Sequence, residues 1–170
     1  VYHPVTQEQG SLYDQMQAVL AGALEHPMDI VLLRPNADAG GDEIDAAIGE
    51  HAHRSELRML EHLVRADYLS LLRHAHIMIG NSSSGIIEAA SFGLPVVDIG
   101  GRQNLRERGD NVTWAPAERG AVSDAIARAL TSPRPASGNI YGDGSAGQRL
   151  CTLMSRFEPT AALLEKKNAY

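Results

Sequence analysis

Short apolar runs alternate with amphipathic segments along most of the chain, and this alternation limits the possible folds more than any other feature. Apolar runs rich in β-branched residues are typical of strands buried on both faces, whereas apolar residues three and four positions apart are typical of helices. The predicted strands are residues 29–33, 56–60, 75–80, 95–99 and 111–114. The pattern predicts an α/β fold, a Rossmann-like doubly wound parallel sheet with right-handed crossovers.

Helices are predicted between and after these strands. They cover residues 12 to about 26, 42–51, 67–74, 84–92, 121–130 and 146–157. Asp67 is the expected N-cap of the third helix, and Gly93 suits the left-handed position that ends the fourth. The segment 56–60 also allows a helical interpretation.

Length and composition indicate one globular domain, with 170 residues of which 44% are hydrophobic and 21% charged. The net charge of -6 provides no broad basic face, so we expect no nucleic-acid partner. No apolar stretch approaches the roughly 20 residues that span a bilayer. A single cysteine, Cys151, cannot form an internal disulfide, and we expect a cytoplasmic protein. The opening residues 1–4 predict the end of a strand running into a loop, as in a piece cut from a longer polypeptide.

The first candidate site is a small polar turn between a predicted strand and a predicted helix. Ser82, Ser83, Ser84 and Gly85 form this turn. The first N–H groups of a helix have no partner within it, and small side chains let an anion approach them closely. Glu88 lies one helical turn after Ser84, where a carboxylate can accept hydrogen bonds from the hydroxyls of a ribose. The pattern is equally compatible with serines that only cap the helix.

The second candidate site combines a polar loop with a histidine. Arg102, Arg106 and Arg108 follow the predicted strand 95–99, and Arg102 is the nearest to its end. Arg102 is therefore the first choice for binding a diphosphate, whereas Arg106 and Arg108 are expected to face solvent. His3 lies at a strand end, where an imidazole can donate to phosphate or move protons near neutral pH. The other histidines show no convincing metal-ligand spacing, so we expect no bound metal.

Seven segments, in this order, resemble the motifs of hydrolysing UDP-N-acetylglucosamine 2-epimerases. They are His3-Pro4-Val5-Thr6, Pro35-Asn36-Ala37-Asp38-Ala39-Gly40, Ile79-Gly80-Asn81-Ser82-Ser83-Ser84-Gly85-Ile86-Ile87-Glu88, Gly93-Leu94-Pro95-Val96-Val97, Gly101-Arg102-Gln103, Arg106-Glu107-Arg108-Gly109-Asp110-Asn111-Val112 and Ile140-Tyr141-Gly142-Asp143-Gly144. The resemblance implies a two-domain architecture of the glycosyltransferase-B type. In that architecture, residues 1–170 would form the C-terminal nucleotide-binding domain.

The resemblance also implies roles for individual residues. Ser82, Ser83 and the helix amides at Ser84 and Gly85 would hold the diphosphate of a UDP-sugar, and Glu88 its ribose. Arg102 would meet the phosphates, Asn36 would lie against the nucleotide, and His3, the catalytic candidate, would lie near the pyrophosphate and the sugar. The carboxylates that move protons in this family lie chiefly in the N-terminal domain, which is a further expected partner. No cofactor is expected, and the parent protein is expected to be a homo-oligomer.

The implied reaction removes the C2 proton of the sugar, releases UDP and adds water to give the free 2-epimeric sugar. The resemblance leaves open whether the parent belongs with bacterial relatives of sialic, legionaminic or similar nonulosonic acid pathways, and it leaves the particular acetamidosugar open. The segment 141–144 favours the hydrolysing branch over the non-hydrolysing one. A glycosyltransferase of the same architecture and a non-enzymatic sensor or interaction domain are the remaining alternatives. The isolated domain is expected to bind without catalysis.

Overall fold

A computed structural model of the chain describes residues 1–5, 11–35, 38–136 and 138–158. The chain divides into two compact units, Val1–Ile140 and Tyr141–Tyr170. All strands that the structure describes lie in the first unit. The second unit contains one helix among its described residues, which follows a turn where Asp143 accepts a hydrogen bond from the Ser145 amide.

The strands form where the apolar runs predicted them. They are β1 (Ile30–Leu33), β2 (Leu57–Leu60), β3 (Met78–Gly80), β4 (Val96–Ile99) and β5 (Val112–Ala115). Every described pairing is parallel, and the segment that also allowed a helical interpretation is the strand β2. In place of one continuous sheet, the described strands form a pair, β1-β2, and a trio, β3-β4-β5. The difference arises because β1 and β3 are not bonded to each other.

The helices lie between the strands, as the spacing predicts. They are α1 (Leu12–Ala23), α2 (Gly41–Gly49), α3 (Arg65–His74), α4 (Ser83–Ile87), α5 (Arg119–Thr131) and, in the second unit, α6 (Ala146–Ser155). Two predicted details were wrong. Val64 is the N-cap of α3, so Asp67 lies within its first turn. The predicted helix 84–92 begins one residue earlier and is divided into α4 and a 3₁₀ helix at Ala89–Phe92, which ends at the left-handed Gly93.

Apolar side chains cover both faces of the three-stranded sheet. Val97 and Ile99 of β4 belong to one buried cluster, which includes residues of α1, α2 and α5. Val96, on the opposite face of the same strand, belongs to a second cluster with Leu72 of α3. Successive residues of a strand point to opposite faces, so helices lie on both sides of the sheet. The doubly wound arrangement expected from the sequence is therefore present in this unit.

The parallel pairing brings the carboxyl ends of β3, β4 and β5 to one edge of the sheet. Gly80 at the end of β3 lies opposite Asp98 of β4. Open parallel sheets bind ligands at this edge. The serine turn after β3 and the arginine loop after β4 therefore emerge side by side. No helix in the described part of the chain is long and apolar enough to cross a membrane.

Candidate functional site

The serine turn begins where β3 ends. Gly80 has a φ of 138°, and a Cβ atom there would lie 1.8 Å from the Val1 carbonyl oxygen, so only glycine allows this approach. Gly85 packs α4 closely onto β4, since a Cβ atom would meet Val96 Cγ1 at 3.0 Å. Two glycines therefore determine how tightly the turn is held against the sheet.

The three serines have different surroundings. Ser82 is the N-cap of α4, and its Oγ accepts a hydrogen bond of 3.3 Å from the Ser84 amide. The hydroxyl of Tyr68 donates to Ser84 Oγ at 2.6 Å. Within the described residues, the amides of Ser82 and Ser83 donate to no protein acceptor. The capping interpretation is thus correct for Ser82, and two half-buried amides are still available to an anion.

Asn81 links this turn to the beginning of the chain. Its Oδ1 accepts a hydrogen bond of 2.7 Å from the His3 amide, and its Nδ2 donates to the His3 carbonyl oxygen at 2.8 Å. The side chain is 1% exposed. It therefore fixes the backbone of His3 beside the serine turn. Asn81 lies within one of the sequence motifs, but the motif does not indicate this role, because His3 lies 78 positions away along the chain.

The arginine loop reaches the same asparagine from the other side. Arg102 Nη1 donates to the Asn81 carbonyl oxygen at 3.2 Å, and Gln103 Nε2 donates to it at 2.8 Å. Gln103 is buried, and its Oε1 has no hydrogen-bond partner within the described residues. Gln103 is a second residue whose role sequence reasoning missed, although it directly follows Arg102. The structure brings Arg102, His3 and the serine turn together around Asn81.

His3 is held in its neutral form by its surroundings. Burial, followed by the charge of Arg102 and the charge of the Val1 amine, lowers the pKa of its imidazole to about 4, and Asp38 opposes this shift. At neutral pH the ring carries no charge, so one ring nitrogen donates and the other accepts. His3 can therefore act as a hydrogen-bond donor at this site.

Glu88 lies at the C-terminal end of α4, on the side of that helix that faces α3. Its Oε1 accepts a hydrogen bond of 2.9 Å from Arg65 Nη1, a pairing that the sequence did not indicate. Tyr68, also on α3, contacts Ser84. Ser84 and Glu88 thus share one face, as their spacing predicts, and both already have protein partners. Asn36 lies outside the described residues.

The remaining arginines of the loop differ from each other. Arg106 is exposed, as expected. For Arg108 the expectation was wrong, because its Nη2 and Nε donate to Asp98 Oδ2 at 2.9 and 3.2 Å. Asp98 is 1% exposed, and its burial raises the pKa of its carboxyl although the bonds from Arg108 lower it. This pair anchors the far end of the loop to β4.

No group of three or more possible metal ligands occurs in the parts of the chain that the structure describes. The donors at the site are instead two amides, a guanidinium and a neutral imidazole. Such donors suit an anion with several oxygen atoms, such as a phosphate ester.

Comparison with known proteins agrees with this chemistry. Residues 1–155 match the family described as UDP-N-acetylglucosamine 2-epimerase. The chain belongs to this family. The expected fold class is also confirmed, because solved structures of UDP-N-acetylglucosamine 2-epimerases, which have the glycosyltransferase-B-type fold, superpose on this epimerase-family chain. The UDP-GlcNAc 2-epimerase of Methanocaldococcus jannaschii does so with a TM-score of 0.65 and 13% identity, covering 84% of this chain and 41% of that one. The S. aureus MnaA–UDP co-structure also superposes, with a TM-score of 0.68 and 16% identity, covering 99% of this chain and 47% of that one.

Curated relatives give a more specific comparison. The UDP-N,N'-diacetylbacillosamine 2-epimerase (hydrolyzing) of Legionella pneumophila is 42% identical over 170 residues, which is 100% of this chain and 45% of that protein. The UDP-N-acetylglucosamine 2-epimerase of Neisseria meningitidis is 33% identical over 146 residues, 85% of this chain and 38% of that protein. The epimerase-family chain thus spans less than half the length of these curated relatives.

Proposed function

We propose that this chain is the UDP-binding domain of a hydrolysing 2-epimerase that acts on UDP-N-acetylglucosamine or a related UDP-acetamidosugar. The observation that carries the proposal is the convergence of the Ser82 and Ser83 amides, Arg102 and His3 around the buried Asn81. The hydrolysing branch is favoured because the Legionella relative, which is named as hydrolysing, matches the whole chain.

The diphosphate of the nucleotide is the ligand that these donors suit. The amides of Ser82 and Ser83 point out of the first turn of α4, and the Ser82 hydroxyl can donate while its oxygen accepts from Ser84. Arg102 adds a positive charge beside them. As UDP leaves the sugar, negative charge grows on the diphosphate, so the same donors stabilise the transition state.

His3 contributes a neutral donor in this proposal. Its low pKa keeps the imidazole uncharged before substrate binds. A nearby diphosphate raises that pKa, because an anion favours the protonated ring. The His3 backbone is fixed, so rotation of the side chain decides whether the imidazole hydrogen-bonds to the phosphate or to a sugar hydroxyl.

We assign the ribose hydroxyls to Glu88, because its contact with Arg65 leaves other acceptor positions of the carboxylate open. A carboxylate has about four acceptor positions on its two oxygens, and Arg65 uses Oε1. The family resemblance assigns the Ser84 and Gly85 amides to the diphosphate, but both amides donate to Ser82, at 3.3 and 3.0 Å. In this proposal Ser84 and Gly85 therefore support the turn, through Tyr68 and through close packing on β4. Asn36 stays a prediction from the family resemblance, in which it lies against the nucleotide.

The proposed reaction consumes one water molecule for each UDP released. A base removes the proton from C2, the C1–O bond to the diphosphate breaks, and the electron pair forms a C1=C2 double bond. Water then adds its hydroxyl to C1 and a proton to the opposite face of C2. The groups that move these protons belong to the N-terminal domain in this proposal, so the present chain binds UDP without turning over the sugar.

Calorimetric titration of the chain with UDP tests the binding role. We expect a Kd of about 0.1–1 mM, because half of the binding cleft belongs to another domain. Uridine, which lacks phosphate, is the matched control and is expected to bind at least roughly tenfold more weakly, since it forms no charge-assisted hydrogen bonds. Absence of UDP binding at several millimolar would contradict the proposal.

An assay of the longer parent protein with UDP-acetamidosugar and no acceptor tests the reaction class. The hydrolysing reaction gives UDP and free 2-epimeric sugar in equal amounts, with ¹⁸O from labelled water on C1. An epimerised UDP-sugar without free UDP indicates the non-hydrolysing reaction. No turnover until an acceptor is added indicates a glycosyltransferase.

A further inference from the structure

Two side chains of α3 contact two side chains at α4, and both contacts involve residues of the serine turn and its helix. The hydroxyl of Tyr68 donates to Ser84 Oγ at 2.6 Å, and Arg65 Nη1 donates to Glu88 Oε1 at 2.9 Å. Residues three or four positions apart lie on one face of a helix, so each helix presents its two partners side by side. The first turn of α3 therefore contacts α4 at both ends.

The ring of Tyr68 is held in place by packing. It is half-buried and packs against the apolar cluster that contains Leu72 and Val96, so its hydroxyl lies at a fixed point beside α4. Burial raises the pKa of the phenol, the hydrogen bond to Ser84 opposes this shift, and the charge of Glu88 adds to it. The phenol therefore keeps its proton at neutral pH and acts as a donor.

The direction of this hydrogen bond leaves the Ser84 hydroxyl with its own hydrogen. A phenol is a stronger acid than an aliphatic hydroxyl, so Tyr68 donates and Ser84 Oγ accepts. The Ser84 amide already donates to Ser82. Within the described residues the Ser84 hydroxyl donates to no protein acceptor, and the residue is half-buried rather than enclosed. Its hydrogen is thus available to a ligand.

Ser84 lies between the two parts of the site to which we assign the nucleotide. The free amides of Ser82 and Ser83 precede it, and Glu88 follows one helical turn later on the same face, about 6 Å along the helix axis. A nucleotide with its diphosphate at those amides and its ribose at Glu88 has the phosphate that is attached to the ribose beside Ser84. This phosphate is the α-phosphate.

We propose that Tyr68 is a positioning residue, which orients the Ser84 hydroxyl so that its hydrogen is donated to the α-phosphate of the nucleotide. A free serine hydroxyl rotates among about three staggered positions, and accepting from Tyr68 excludes those in which its hydrogen points toward α3. A hydroxyl that accepts a hydrogen bond is also a stronger donor. This inference rests on the proposed function, and Tyr68 itself does not touch the nucleotide.

The test compares Tyr68→Phe with a matched control. Tyr68→Phe removes only the hydroxyl and keeps the ring in the apolar cluster. Tyr13→Phe removes a hydrogen-bonded hydroxyl from α1, where the partners are Glu50 and Gln17 rather than α4. Each chain is titrated with uridine, UMP and UDP by NMR, and its thermal unfolding midpoint is measured. The same substitution is then made in a chain that carries Ser84→Ala.

We expect Tyr68→Phe to weaken the binding of UMP and UDP by the same factor, roughly three- to tenfold, and to leave uridine unchanged. Ser84→Ala should weaken UMP and UDP by roughly tenfold or more, because it removes a charge-assisted hydrogen bond. In that background Tyr68→Phe should have no further effect, since it acts through Ser84. Tyr13→Phe should leave all three affinities unchanged.

Three results would overturn the inference while the proposed function stands. They are unchanged UMP and UDP binding in Tyr68→Phe, an equal loss for uridine, and the same loss in the presence of Ser84→Ala. An equal loss for uridine would indicate that Tyr68 only supports the fold. A loss for UDP but not for UMP would also overturn it, because Ser84 would then meet the other phosphate. A wild-type chain that does not bind UDP would overturn both proposals.

Discussion

The side-chain amide of Asn81 forms two hydrogen bonds with the backbone of His3, at 2.7 and 2.8 Å, across 78 positions of sequence. The side-chain amide thus forms the two hydrogen bonds that the peptide groups of a neighbouring strand would otherwise form with the His3 backbone. The carbonyl oxygen of the same asparagine accepts from Arg102 and Gln103. One buried residue therefore sets the relative positions of the histidine, the serine turn and the arginine loop.

Replacing Asn81 by alanine should weaken both folding and nucleotide binding. The change leaves the amide and carbonyl of His3 without their partner, which costs about 2–3 kcal/mol of unfolding free energy. Urea unfolding measures this loss, and titration with UDP should show at least roughly tenfold weaker binding, since His3 is no longer held. Gln148→Ala, at an exposed position of α6, is the control. Equal effects of the two changes would exclude a special role for Asn81.

Arg102→Ala should reduce UDP affinity with little effect on folding. A charge-assisted hydrogen bond contributes about 1.5–3 kcal/mol, so we expect roughly 10- to 100-fold weaker binding of UDP and a smaller effect on uridine. Gln103 continues to hold the Asn81 carbonyl, which preserves the loop. Arg106→Ala removes the same charge from an exposed position and should leave the Kd unchanged. If the two variants bind UDP alike, net charge rather than position determines affinity.

Gly80→Ala should disrupt the end of β3. Its φ of 138° disfavours any side chain, and the new Cβ would overlap the Val1 carbonyl oxygen. We expect a loss of about 2–3 kcal/mol in unfolding free energy. Gly120→Ala, in α5, meets nothing within 4 Å and should instead stabilise the chain by about 0.5–1 kcal/mol. Thermal unfolding of both variants distinguishes a local steric effect from a general response to added side chains.

Arg108→Ala should leave the buried carboxylate of Asp98 without its only ionic partner among the described residues. We expect a loss of about 3 kcal/mol at neutral pH, because an unpaired buried charge is costly. Adding Asp98→Asn should recover at least half of that loss, since a neutral amide does not need the guanidinium. The loss should also shrink as pH falls and Asp98 becomes protonated. Additive effects of the two changes would show that the pair is not coupled.

Most of the fold could be predicted because the β-branched runs of β1, β3 and β4 are short, apolar and separated by helical patterns. Residues that meet at the carboxyl ends of parallel strands, such as Ser82 and Arg102, could also be named, since the topology alone brings those ends together. The described strands form a pair and a trio rather than the predicted single sheet. Strand order is not encoded in local periodicity.

Long-range polar partners could not be predicted for a related reason. In the sequence, Asn81 has the features of an ordinary turn residue, and nothing indicates its hydrogen bonds to His3. Nothing near Glu88 in the sequence indicates its pairing with Arg65. Arginine is usually exposed, so the sequence predicts Arg108 at the surface. It instead pairs with the carboxylate of Asp98, whose burial the sequence does not reveal. Each of these contacts depends on where two distant segments meet.

Acidification should destabilise the chain through His3. Its pKa is about 4 in the folded chain and 6.5 when unperturbed, so between these values the unfolded state binds more protons. The stabilising effect of the neutral ring is complete above pH 6.5 and is lost as pH falls toward 4. After allowance for its partial exposure, we expect His3→Gln to remove roughly 1 kcal/mol of the stability difference between pH 7.5 and 4.5. The backbone bonds to Asn81 are unaffected by this change, so urea unfolding at the two pH values isolates the imidazole. An identical pH dependence in both proteins would show that the ring is not buried as described.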